Sequence, residues 1–231
     1  MAIRCPGSML MRQPKPEIFK CPSCGSEVEI WTDEIKATCR NCNHVVTRYQ
    51  DMSCIEWCKL AKECVGEGQF NKYMQNRIMS VKQKLLRFLK EHFDNDKKRI
   101  DHAKKVLTYA EDILKSEGGD PHIVIPAAIL HDVGIRENEG DHERAGADIA
   151  RKLLFKLGFQ KNHVDEICDI ILHHHSKEKA GGKNFDVLYD ADRIVNLEDE
   201  INSQNKRNIE EEIDGSFLTS SGKDLARKKY L

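Results

Sequence analysis

Eight of the nine cysteines of this 231-residue chain fall within its first 64 residues, and that crowding constrains the fold more than any other feature. They are Cys5, Cys21, Cys24, Cys39, Cys42, Cys54, Cys58 and Cys64; Cys168 stands apart downstream. A segment this dense in thiols and this poor in apolar residues cannot build a core unaided, and needs disulfides or a metal as a staple. The paired Cys-x-x-Cys spacings favour metal. So does a start, Met1-Ala2-Ile3-Arg4-Cys5, that lacks the basic and apolar regions of a secretory leader and points to the cytoplasm. The distribution divides the chain into a cysteine-rich module over residues 1–70 and a remainder over residues 71–231.

Cys21-Pro22-Ser23-Cys24 and Cys39-Arg40-Asn41-Cys42 are two tight turns. Four thiolates delivered by two turns form a tetrahedral all-sulfur site, which suits zinc. Alternating stretches at residues 27–31 and 45–49 follow the turns as strands, and the whole resembles a zinc ribbon. Cys5, Cys54, Cys58 and Cys64 point to a second four-thiolate site holding zinc or an iron–sulfur cluster, although their spacing matches neither common ferredoxin pattern. The alternative is that some of them pack against Trp57. Cys168, within an apolar helical pattern, reads as a small buried residue.

Charge restricts the partners. The chain carries 37 Lys and Arg against 38 Asp and Glu, a formal net charge of -1. The module is balanced as well, with Lys36, Arg40, Arg48 and Lys59 offset by acids. A nucleic-acid reader needs a basic face, so nucleic acid is not an expected partner. Bracing of the rest of the chain, docking of a protein partner or self-association fits the module better. No apolar run approaches the ~20 residues of a membrane helix.

Beyond Gly66 and Gly68 the apolar residues recur at helical spacing, and an all-α domain is expected. Helices are predicted over residues 71–95, 101–114 with Asp101 as N-cap, 123–133, 143–157, 164–173, 185–198 and 201–213, with a last short one capped within residues 219–221.

This helical part carries an ordered set of metal-ligand residue types: His102, the doublet His131-Asp132, His142, the run His173-His174-His175, and Asp192 with Asp190 as its alternative. Taken singly each is an ordinary capping or surface residue. The doublet, however, ends the apolar run Ala127-Ala128-Ile129-Leu130, and the histidine run follows Ile170-Ile171-Leu172. Polar groups placed there are costly unless paired or coordinated. Imidazoles and carboxylates suit one or two first-row divalent ions such as Fe, Mn, Co, Ni or Zn. Asp132, next to a ligand histidine, is placed to bridge two of them.

The order H…HD…D over roughly residues 98–200 resembles the HD superfamily of metal-dependent phosphohydrolases. The resemblance implies a first ion held by His102, His131, Asp132 and Asp192, and a second held by Asp132, His142 and either His173 or His174. It implies hydrolysis of a phosphomonoester or phosphoanhydride in a nucleotide-like or other small phosphorylated metabolite, with no covalent intermediate. Arg144 and Lys177 are the favoured phosphate contacts. Two other readings use the same residues: a di-iron oxygenase of HD type, and a ligand sensor whose cysteine module docks a partner.

Overall fold

The computed structural model describes residues 13–34, 36–47, 54–137, 139–179, 181–203 and 209–231, leaving Cys5 and the side chains of Cys54 and Trp57 outside the described residues. It comprises two compact units, Met1–Ser80 and Val81–Leu231.

The first unit opens with two antiparallel hairpins. β1 (Pro16–Lys20) pairs with β2 (Glu27–Trp31), setting Phe19 opposite Val28, and β3 (Lys36–Thr38) pairs with β4 (Val45–Thr47), setting Ala37 opposite Val46. Alternation along the strands turns Val28, Ile30 and Val46 inward, where they pack with Cys21 and Cys39. β2 and β4 were expected; β1 and β3 were not. β3 has only three residues and β1 begins at a proline, so neither offers a long alternating pattern. Two-stranded sheets of this size are marginal in water, which leaves the four cysteines between the strands as the staple.

Two short helices follow, α1 (Cys54–Trp57) and α2 (Ala61–Val65), and then the long α3 (Glu67–His92). Ile55, Ala61 and Tyr73 form a small core here, with Cys58, Val65, Phe70 and Met74 packed against it. Cys58 therefore has an apolar setting, whereas the expected grouping of Cys5, Cys54, Cys58 and Cys64 falls partly outside the described residues. The division between the units lies within α3, after Ser80.

The second unit is helical. α4 (Lys97–Glu117) starts ahead of the predicted boundary: Asp96, not Asp101, is its N-cap and accepts from Lys98 N and Arg99 N. Ile100 continues the buried stripe of Ala103, Val106, Leu107, Ala110 and Ile113, so burial extends the helix through the basic Lys97-Lys98-Arg99. α5 (Pro121–Leu130) has Asp120 as N-cap and buries every residue from Ile123 to Leu130. A helix apolar on all sides must be central, and α5 packs against α4, α7 (Lys161–His173) and α8 (Lys183–Ser203). Its expected extension to Val133 is instead a 3-10 turn, Val133–Arg136. α6 (His142–Lys156) lies against that turn and against α7.

Of the helix expected over residues 201–213, α8 includes residues 201–203 and α9 (Ile209–Ser216) includes residues 209–213, the stretch between lying outside the described residues. α10 (Ser220–Tyr230) is capped by Thr219, whose Oγ1 accepts from Gly222 N, as predicted. Among the described residues no helix is long and apolar enough to cross a membrane.

Candidate metal centre

Five helices of the second unit converge on one cluster. α4 supplies His102 from its second turn, and α8 supplies Asp192. α5 ends at His131, its C-cap, and Asp132 opens the following turn. α6 begins with His142; α7 ends with His174 as C-cap, followed by His175. His131, His174 and Asp192 are buried.

Asp132 divides the cluster. Its Oδ2 lies 3.4 Å from His131 Nε2 and 3.6 Å from His102 Nε2. Its Oδ1 lies 3.6 Å from Nε2 of both His142 and His174. Asp192 Oδ1 closes the first side, 3.2 Å from His102 Nε2 and 3.6 Å from His131 Nε2, while its Oδ2 accepts from Asn196 Nδ2 at 2.8 Å. His102, His131 and Asp132 can each offer one atom to a common ion, as can Asp132, His142, His174 and His175.

Helix ends orient the two buried rings. The last carbonyls of a helix lack intrahelical partners. His131 Nδ1 donates to Ala128 O at 3.0 Å, and His174 Nδ1 donates to Ile171 O at 2.7 Å. With its Nδ1 proton so committed, each neutral ring turns a lone pair on Nε2 toward the centre. His131 Nε2 then faces His102 Nε2 at 3.2 Å and two carboxylates, an arrangement that repels unless a cation lies between. Ligand nitrogens about 2.1 Å from one ion lie about 3.0–3.4 Å apart, so the spacing fits a shared metal. His174 Nε2 is buried and makes no hydrogen bond, as expected of an atom reserved for an ion. Among the described ion pairs, Asp132 and Asp192 face histidines rather than Lys or Arg.

The metal-free electrostatics agree. Burial pushes the His131 pKa down, but Asp132 and Asp192 outweigh it and lift the ring to about 9. Asp132 is held far below the usual carboxylate range, burial being overcome by His131 and His174. Burial and His174 keep His175 below the ordinary imidazole value, favouring the neutral ring a metal requires. In the metal-free protein a proton thus occupies the place a cation would take. The raised His131 pKa contributes stability that is fully present below an unfolded value of about 6.5 and is lost as pH rises through about 9. Metal loading at pH 7 should accordingly release a proton from His131. Apparent affinity should climb with pH and level off above about 9, as calorimetry in buffers of different ionisation enthalpy would detect.

Several predicted residues lie elsewhere. His173 turns outward, its Nδ1 2.9 Å from Asp169 O and 3.2 Å from Asp169 Oδ1. Arg144 is exposed and lines an outer cleft of α6 and α7 with Arg151, Asp165 and Asp169. It follows His142 by two residues, which is about 200° around a helix. Lys177 Nζ donates to Gly215 O. Neither cation joins the cluster as the expected phosphate contact. Asp190 is a structural carboxylate: it accepts from Leu218 N at 2.8 Å, Thr219 N at 2.7 Å and Thr219 Oγ1 at 2.6 Å. Cys168 is buried, its thiol directed at Ala147 O. His175, named within the histidine run but assigned to neither ion, joins the second group, whereas Glu143 and Asn196 carry no signal in the sequence.

In the first unit Cys21, Cys24, Cys39 and Cys42 come together as expected. Cys21 Sγ lies 3.6 Å from Cys42 Sγ, and Cys24 Sγ 3.6 Å from Cys39 Sγ. A tetrahedral ion with metal–sulfur bonds of about 2.3 Å sets its sulfurs about 3.8 Å apart. The two turns repeat one geometry. Cys21 N donates to Ser26 O and Gly25 N to Cys21 O; Cys39 N donates to His44 O and Asn43 N to Cys39 O. Each closes on a left-handed residue, Gly25 or Asn43. Hydrogen bonds from Ser26 and then Asn41 pull the Cys24 thiol down to about 5. At Cys42 a backbone hydrogen bond from His44 is outweighed by the neighbouring Cys24 and burial, which push its thiol up to about 11, so that four crowded sulfurs without an ion carry their negative charge on Cys24.

Comparison with known proteins agrees with this geometry. Residues 99–208 match the family model described as HD domain. Among solved structures the chain is similar to a predicted HD superfamily hydrolase from an uncultured Thermotogales bacterium, with 25% identity and a TM-score of 0.51 over 64% of this chain and 84% of that one. No curated protein matches. The ordered histidines and aspartates, the helices that gather them and the match to the HD domain model coincide on one segment, residues 99–208.

Proposed function

We propose that the chain hydrolyses a phosphomonoester or phosphoanhydride in a nucleotide-like or other small phosphorylated metabolite, with two divalent ions drawn from Fe, Mn, Co, Ni and Zn. The observation that carries this reading is the division of Asp132, one oxygen toward His102 and His131 and the other toward His142 and His174. When bound, such a pair of ions would acidify water and neutralise charge on phosphoryl oxygens. The chain holds that pair from both sides. His131, His174 and Asp192 form the buried wall, and His102, Asp132, His142 and His175 reach toward solvent, where a substrate enters. Asn196 steadies Asp192, and the carbonyls of Ala128 and Ile171 steady the buried rings. The HD domain match and the solved neighbour described as a hydrolase support hydrolysis at the level of the superfamily.

In the same reading zinc occupies the four-thiolate site, and the first unit braces the chain or docks a protein partner in the cytoplasm. The test uses full-length protein purified without oxygen. Its metals are measured, and phosphorylated metabolites are screened with each ion, with and without oxygen. Phosphate release that follows metal content and ignores oxygen is the expected result. Oxygen consumption with an iron-dependent spectrum and no phosphate release would replace hydrolysis with oxygenase chemistry. Binding without turnover across the screen would point to a sensor.

A further inference from the structure

An imidazole that gives Nε2 to an ion needs a partner for Nδ1 behind it, and such partners set both ring orientation and metal affinity. The two buried rings, His131 and His174, close their helices and use the free carbonyls there. His142 instead opens α6, where the free backbone groups are N–H donors. Its Nδ1 lies 3.5 Å from Oε2 of Glu143, while His175 Nδ1 lies 3.4 Å from Oε1 of the same carboxylate. One side chain thus backs two rings, one oxygen to each, from the first turn of α6, where the helix dipole favours a negative charge.

We propose that Glu143 is the positioning residue of the second ion position. It holds the Nδ1 protons of His142 and His175, leaves their Nε2 atoms for the ion beside Asp132 Oδ1, and tunes affinity there without touching the ion. The inference rests on the two-ion reading above. It accounts for how the two more exposed rings, which sit on different elements, acquire a common orientation. Glutamine at this position accepts through one oxygen only, so it can back one ring but not both.

The test is a Mn2+ titration of the full chain after dialysis, with the wild type compared to Glu143→Ala and Glu143→Gln; Mn2+ disfavours the soft thiolate site. The wild type should bind in two steps. Glu143→Ala should weaken the second step about 10–100-fold and leave the first within about twofold, with Glu143→Gln between them. Long-range 1H–15N spectra of the metal-free protein should show His142 and His175 as Nδ1–H tautomers in the wild type and as mixtures in Glu143→Ala. An unchanged second step in both variants, or an equal loss in both steps, overturns the proposal while leaving the two-ion reading intact. A wild type that binds only one Mn2+ overturns that reading, and this inference with it. Should Glu143→Ala fail to fold, Glu143→Gln decides by the same criteria.

Discussion

Asp132→Ala should strip both ions from the helical unit and bring phosphate release down at least ~10³-fold, about 4 kcal/mol of lost transition-state stabilisation. No other residue of the cluster is expected to affect both ions so directly, because the two oxygens of Asp132 face opposite halves of the site. The fold should survive. The Asp132 side chain is 24% exposed and fills no core position, so helical content by circular dichroism should match the wild type. Elemental analysis decides the matter: a variant that retains both ions would remove Asp132 from the ligand set and with it the bridged pair.

Gly134→Ala should be among the most destabilising single substitutions in the helical unit. A Cβ there would lie 2.1 Å from His142 O, 2.3 Å from Gly146 N and 3.0 Å from the carbonyl carbon of Ala145. These are backbone atoms, so no rotamer change relieves the contact, and the Val133–Arg136 turn must separate from the start of α6. Overpacking against backbone falls in the exceptional class, ~4 kcal/mol or more. For a domain of this size that lowers Tm by roughly 8–16 °C. The same displacement carries His142 away from Asp132, so any folded variant should lose the second ion before the first. Thermal unfolding within about 2 °C of the wild type would mean that the close approach of turn and helix is not obligatory.

Gly134 also marks where reading the sequence stops. A glycine after His131-Asp132 was legible as a helix stop, because an apolar run ending in a polar pair and a glycine is a local signal. That it admits the N-terminus of α6, and so brings His142 to Asp132, depends on two segments meeting. The histidine run behaves similarly. Apolar spacing fitted His173 and His174 about equally, and the choice fell to His174 because α7 ends there and its free Ile171 carbonyl takes the ring proton. Asp190 and Asp192 lie two residues apart on α8. Packing of the loop before α10 claims Asp190, leaving Asp192 for His102.

The long cations were the least legible. Arg144 and Lys177 are near His142 and His174 in sequence, but helix phase and a turn direct them to an outer cleft and to Gly215 O. Ligand residue types, their order, the all-helical character of the larger unit and the four-cysteine site were determined by the sequence alone. Each depends on local spacing or on chemistry that few other residues can supply. Which carboxylate oxygen faces which ring, what stands behind each Nδ1, and which cations are excluded were decided by tertiary structure. Those properties belong to helix ends and loops brought together across the chain, where a rotation of one residue, about 100° on a helix, changes what a side chain meets.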